Sequence, residues 1–187
     1  PTLNVLSPAS TNRIEATSAL QAFSGDAGED ALSVTWTTSG GASGTAAGTV
    51  AWSAEVPLDA GLQWVTFRAV DGDGVATDLP IVVAWQPDIT FEAAPALSAS
   101  LVQPGETVEA TIEFTTTAAV SGVELVLACY ANGAESEARA AMSQAAGAWR
   151  ASVTAPSAAD DCVAFASVAT DSGVRESPTR FLRVRAP

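Results

Sequence analysis

Apolar and polar residues alternate along this chain with a period of two. Val108, Ala110, Ile112 and Phe114 alternate with Glu109, Thr111 and Glu113, the pattern of a half-buried strand with an acidic solvated face. Val65, Phe67 and Ala69 alternate with Thr66 and Arg68, and Trp149, Ala151 and Val153 alternate with Arg150 and Ser152. Turn signals fall between such runs: Ser24-Gly25-Asp26, Gly40-Gly41, Asp59-Ala60-Gly61, Asp71-Gly72-Asp73-Gly74, Pro104-Gly105-Glu106, Asn132-Gly133 and Ser172-Gly173. Strands recurring about every 8–12 residues between turns predict an all-β sandwich. The Ala-rich stretch from Glu135 to Ala146 is the one place where a short helix competes with loop and strand, because Ala is the best helix former.

The chain also repeats itself. Trp52-Ser-Ala-Glu-Val56-Pro57 recurs as Trp149-Arg-Ala-Ser-Val153-Thr-Ala-Pro156, and Ala69-Val-Asp71-Gly-Asp-Gly74 recurs as Ala169-Thr-Asp171-Ser-Gly173. The copies keep the same order at an offset of roughly a hundred residues, and a Pro follows each of the latter pair, Pro80 and Pro178. The expectation is two similar domains, residues 1–87 and 88–187, joined at Gln86-Pro87-Asp88 just after the apolar strand Ile81–Trp85. Each is the size of an immunoglobulin-type sandwich.

Residues 35–75 resemble the tandem bacterial Ig-like repeats of secreted and cell-surface proteins, a type also found as an accessory domain in glucodextranase-like enzymes. The matching residues are Val34-Thr-Trp36, Gly44-Thr45, Gly48-Thr49 with Trp52, Val56-Pro57-Leu58, Gly61, and Val65-Thr-Phe67-Arg-Ala69-Val-Asp71. Gln63 stands where the repeats usually have Asn, and the adjacent Trp64 is unusual. Residues 89–187 resemble the same superfamily more loosely, through Pro104-Gly105-Glu106-Thr107-Val108, Trp149 and Ala169-Thr-Asp171. The resemblance implies two tandem immunoglobulin-like β-sandwich domains, the second Ig-like or fibronectin-like, and no fixed activity. It also implies that Trp36, Trp52 and Trp149 are mostly buried. In an Ig-type order Cys129 would end the third strand and Cys162 would begin the sixth, so that a bridge between them would be cross-strand. The alternative is a pair of reduced thiols.

Composition narrows the chemistry. Of 187 residues 48% are apolar and 16% charged, enough apolar surface for a core and unlike a disordered chain. There is no His, and all 8 cations are Arg. His-dependent triads, His metal sites, P-loops, Schiff-base lysines and Lys–Asn isopeptide cross-links are thereby excluded. The net charge of −13 repels phosphate backbones, so nucleic acid is not expected as a partner. No apolar run approaches the ~20 residues of a membrane span. The acidic, Ser/Thr/Gly/Ala-rich composition points to an extracellular, cell-surface or periplasmic setting, where a disulfide persists.

The carboxylates Asp71 and Asp73, with Asp78, form a hard-oxygen arrangement around glycines that suits calcium. The competing reading is a turn in which Asp71 accepts backbone N–H groups. Asp26, Glu29 and Asp30 form a second acidic loop, and Asp160-Asp161 reads as a turn. A pair of carboxylates could hydrolyse glycosides, yet chains of this size have little material for a cleft, so an enzyme is not expected. Trp64 is out of phase with Val65 and Phe67 and should point outward with Thr66 and Arg68, making Trp64 and Arg68 the candidate binding residues. Trp85, two residues before Pro87, is expected to serve interdomain packing. The function expected is a non-catalytic spacer, adhesion or assembly module of a surface protein, whose partner is protein or glycan, or a like module. The alternatives are a carbohydrate-binding or accessory module of a secreted polysaccharide-degrading enzyme, or a subunit of a surface filament.

Overall fold

The computed structural model describes residues 1–9, 13–131, 134–156 and 161–185. They form strands and turns, with no helix among the described residues. The chain divides into two compact units, Pro1–Pro87 and Asp88–Pro187.

The first unit contains β1 (Leu3–Ser7), β2 (Arg13–Ala16), β3 (Leu20–Ala27), β4 (Ala31–Thr38), β5 (Ser43–Thr45), β6 (Ala51–Pro57), β7 (Gly61–Asp71) and β8 (Ala76–Trp85). One sheet has the order β1-β3-β6 and the other β2-β8-β7-β4-β5. β2 runs parallel to β8, while the other pairs are antiparallel. The opening segment is thus shared between both sheets, and the strand order is that of an immunoglobulin-like sandwich. Alternation decides which side chains fill it: Val65, Phe67 and Ala69 of β7 are fully buried, and Val34, Val56 and Val83 meet them from neighbouring strands. Phe67 is the centre, with Phe23 edge-on at 5.1 Å and Trp52 tilted at 4.8 Å. Trp85 packs against this same core.

Two glycines make room for the large rings. Gly25 pairs with Trp52 across β3 and β6, and a Cβ at Gly25 would meet the indole at 2.5 Å. Gly44 pairs with Trp36 across β4 and β5, and a Cβ there would again meet the indole at 2.5 Å. Each indole therefore lies over its neighbour's bare backbone, which leaves Trp52 2% and Trp36 7% exposed.

The second unit begins with β9 (Ile89–Phe91), β10 (Ala96–Leu97), β11 (Leu101–Val102), β12 (Thr107–Ile112) and β13 (Phe114–Thr116). It continues with β14 (Val120–Ala131), β15 (Ala134–Ala141), β16 (Ser143–Ala145), β17 (Ala148–Thr154), β18 (Asp161–Thr170), β19 (Gly173–Glu176) and β20 (Arg180–Val184). One sheet has the order β10-β12-β17-β16 and the other β11-β20-β18-β14-β15, with β19 also on β18 and a small β9-β13 ribbon. β11 is parallel to β20, so the opening segment again divides between two sheets. Val108, Leu125, Leu127, Ala164, Ala166, Val168 and Leu182 are buried in a core of their own.

The structure settles one choice that the sequence left open and refines one expectation. The Ala-rich stretch after Glu135 is strand: β15 pairs with β14 from Ala131↔Ala134 to Glu124↔Ala141, and β16 then joins the other sheet. A fully formed neighbouring ladder outweighs the fraction of a kcal/mol per residue by which Ala prefers helix. Trp149 is half-buried, unlike Trp52. Its partner across the sheet is Ile112, where Trp52 has Gly25, so the ring has no bare backbone to lie on. It stacks instead on Phe114 at 6.0 Å and an interplanar angle of 8°, at the margin of the core. The Asn132-Gly133 turn lies outside the described residues.

Candidate functional site

β7 sets the outer face of the first unit's five-stranded sheet. Its burial alternates, so that Leu62, Trp64 and Arg68 are exposed while Gln63, Val65, Phe67 and Ala69 are buried. Trp64 is 53% and Leu62 45% exposed. The position is fixed by the end of β4: the Ser39 N–H donates to the Trp64 carbonyl at 2.9 Å, and the Trp64 N–H donates to Ser39 Oγ at 3.1 Å. Across the sheet Trp64 stands beside Val82, which in turn stands beside Arg13. Arg68 shares this face, two alternating positions further along, flanked by Thr35 and Asp78. Its guanidinium pairs with Asp78 at 3.4 Å, both side chains about half exposed. A pair so open to water contributes about 0–1 kcal/mol.

The three carboxylates read as a calcium set are not brought together. Asp71 Oδ1 accepts the N–H groups of Asp73 at 3.0 Å and Val75 at 2.8 Å, which closes the loop between β7 and β8. Gly74, at φ 80°, supplies the left-handed position that this turn requires. Asp78 lies on the Trp64 face and is engaged by Arg68. Among the described residues no group of three or more acidic, His or Cys side chains could hold a metal ion. In the second acidic loop Asp26 accepts a hydrogen bond from Asn4 Nδ2 at 2.7 Å. Asp160 lies outside the described residues, and Asp161 is exposed at the start of β18. At the corresponding turn of the second unit the capping is done by Thr170, not Asp171: its Oγ1 accepts the Ser172 N–H at 3.2 Å and donates to the Gly173 carbonyl at 2.8 Å.

Cys129 and Cys162 form a disulfide. They are directly opposed between β14 and β18, so the bridge is cross-strand, as the Ig-type order implied.

Two features carry no obvious sequence signal. Asp88 and Arg175 form a buried ion pair, Nε to Oδ1 at 2.7 Å, with side chains 14% and 4% exposed. Burial pushes the Asp88 carboxyl up, but the hydrogen bond from Arg175, its own backbone N–H and the Arg175 charge together hold it below the ordinary Asp value. The same guanidinium donates from Nη1 to the Val174 carbonyl and from Nη2 to the Ser172 carbonyl, so each of its three nitrogens is engaged. Partners so far apart in sequence are joined only by the fold. The second feature is an open groove lined by Ser100, Leu101, Phe181, Arg183 and Arg185. The alternation Phe181-x-Arg183-x-Arg185 was visible in the sequence, but its exposed side was not.

No family model matches the chain, and no curated protein matches it. Solved structures align along nearly its whole length. A chimeric titin Z1Z2-Z1Z2 tandem functionalized with a GRGDS peptide from fibronectin is 15% identical and covers 98% of this chain and 100% of that one, with a TM-score of 0.40. The fibronectin(III)-like modules of Clostridium thermocellum CbhA are 16% identical and cover 98% of this chain and 93% of theirs, with a TM-score of 0.33. The D00-D0 domain of intimin is 13% identical and covers 97% of this chain and 98% of its own, with a TM-score of 0.31. Likenesses this distant decide nothing about family or role. The class of protein is set by the strand order and the buried alternation described above: all-β and immunoglobulin-like.

Proposed function

We propose that this chain is a non-catalytic extracellular module, two tandem bacterial Ig-like sandwiches over residues 1–87 and 88–187, that serves spacing, adhesion or assembly at a cell surface. The observation that supports a binding role is Trp64, 53% exposed on a sheet face where folding gains nothing from it. Its surroundings are Leu62, Thr66, Thr37 and the Arg68–Asp78 pair, an aromatic ring beside polar groups that suits a glycan or a protein loop. The disulfide fits an oxidising compartment. Joining through strand edges is less well supported, because the edge strand β15 carries Glu135, Glu137 and Arg139, charges that oppose edge-to-edge pairing. Trp64→Ala is expected to leave the melting temperature nearly unchanged, within the roughly 0.5 kcal/mol of an ordinary surface substitution. It should weaken binding to cell-surface material or concentration-dependent self-association, measured by pull-down and sedimentation. Unaltered binding in both assays would remove Trp64 from the interaction.

A further inference from the structure

Six of the 8 cations lie in residues 88–187, and three of these, Arg180, Arg183 and Arg185, fall in or just after β20. The strand alternates strictly. Leu182 and Val184 are 0% and 1% exposed, whereas Phe181 is 54% exposed on the other side with Arg183 and Arg185. Leu101, 59% exposed, stands beside Arg183 in the parallel β11–β20 pair. These side chains and Ser100 line an open groove of about 430 Å³, within the size range of small-ligand sites.

Two facts ask for an occupant. Among the described residues Arg183 and Arg185 form no ion pair, nor do Arg150 and Arg180, whereas Arg13, Arg68, Arg139 and Arg175 do. Arg183 and Arg185 share one exposed face, so two guanidinium groups outside any ion pair stand together in a chain of net charge −13. Phe181 and Leu101 beside them keep apolar surface in water with no folding benefit.

We propose that this groove binds a glycan through an isolated carboxylated sugar, whose apolar ring face rests on Phe181 and Leu101 and whose carboxylate is held by Arg183 and Arg185. Alternate residues of a strand lie about 7 Å apart. A ring seated on Phe181 therefore brings a carboxylate at its edge within reach of the Arg183 fork, which matches carboxylate geometry in two parallel hydrogen bonds. The surrounding charge selects an isolated acid over a polyanion. Asp161 is opposite Arg183 on β18, and Tyr130 and Glu135 continue that cross-strand row. A nucleic acid or a continuous polyuronate would run off two cations onto an acidic surface. A second copy of the chain brings its own charge of −13.

The test is titration of the isotope-labelled, oxidised full chain, followed by backbone amide shifts. The probes are a neutral xylo-oligosaccharide carrying one glucuronic acid, the same oligosaccharide without it, polygalacturonate, and a single-stranded oligonucleotide. The expected result is saturable shifts at residues 100–101 and 181–185 with the acid-bearing oligosaccharide, absent with the neutral one and weakened by salt. Arg183→Gln should weaken that binding by about tenfold or more, the worth of a lost charge-assisted pair, and Phe181→Ala should weaken it as well. Both side chains are exposed, so the folded spectrum persists. Leu32→Ala, an exposed change in the other unit, should leave this titration unchanged, and shifts at residues 62–68 are followed separately, which separates the groove from the surface proposed above. No shifts in this region, equal shifts with the neutral probe, tighter binding of either polyanion, or only self-association lost in the variants would each overturn the proposal.

Discussion

Arg175 is the residue on which most of one neighbourhood depends. It is 3% exposed, neutralises Asp88, and ties down the carbonyls of Ser172 and Val174. Asp88 in turn accepts Thr116 Oγ1 and the Thr117 N–H on its carbonyl, at 2.9 and 3.0 Å, and so fixes the entry to β9 against the end of β13. Arg175→Met keeps the stem but leaves the carboxylate of Asp88 without its cation. Urea unfolding at pH 7 should show a loss of about 2–4 kcal/mol, somewhat under the cost of breaking a fully buried pair because Asp88 retains some contact with water. The pH dependence has a definite sign. The folded-state pKa of Asp88 is lowered, so its stabilisation is fully present above the unfolded value and is lost as pH falls through the folded one. Acid titration of the unfolding free energy below about pH 4 should therefore be shallower in Arg175→Met than in the parent. An equal slope in both would mean that Asp88 is not the group responsible. None of this could be read from the sequence, where Asp88 resembles any linker acid and Arg175 any loop cation. Trp64 was legible for the opposite reason: its exposure follows from the alternation of its own strand, without knowledge of any distant partner.

At the scale of elements, β18 shows what alternation can and cannot reveal. It pairs with β14 along its length, with β19 at one end and with β20 at the other. The switch from β19 to β20 occurs at Ser177-Pro178, where Pro cannot donate to the ladder. Ser177, 0% exposed, repairs the gap: its N–H donates to the Ala166 carbonyl at 2.9 Å. Its Oγ accepts the Ala166 N–H and donates to the Pro178 carbonyl, both also at 2.9 Å. Ser177→Ala would leave the buried Ala166 N–H without that acceptor, at a cost of about 1–3 kcal/mol. Faster amide exchange at Ala166 than at Val168 would accompany the loss, and unchanged protection there would refute the assignment. The sequence displayed Pro178 as punctuation but not the hydroxyl beside it. The strands themselves were legible because each has a wet and a dry face. The Ala-rich β15 was ambiguous because Ala fits either face and either element, and only its pairing with β14 decided the matter. The equivalence of Trp52 and Trp149 was half right for a related reason: both sit on corresponding strands, but the residue across the sheet governs how deep the ring lies.

At the scale of the whole molecule, each unit has a core drawn wholly from its own residues. One runs from Leu3 to Val83 and centres on Phe67. The other runs from Ile89 to Val184 and contains the Cys129–Cys162 bridge. Hydrophobic burial is the dominant favourable term in folding, so cooperativity should follow these two cores and not the chain as a whole. Two perturbations can be aimed separately. Phe67→Ala removes the ring that Phe23 and Trp52 pack on, and should cost the first unit about 3–5 kcal/mol. Reduction opens the bridge between residues separated by 33 positions, and should cost the second unit about 3–4 kcal/mol in the chain-entropy account. Calorimetry of the oxidised full chain, its Phe67→Ala variant and its reduced form should then resolve two transitions, each moved by one perturbation alone. The tryptophan signal assigns them without ambiguity: Trp36, Trp52, Trp64 and Trp85 report the first unit, while Trp149 is the sole tryptophan of the second. If both perturbations shift one common transition, the two units fold as one body, and a spacer built of independent modules is the wrong description of this chain.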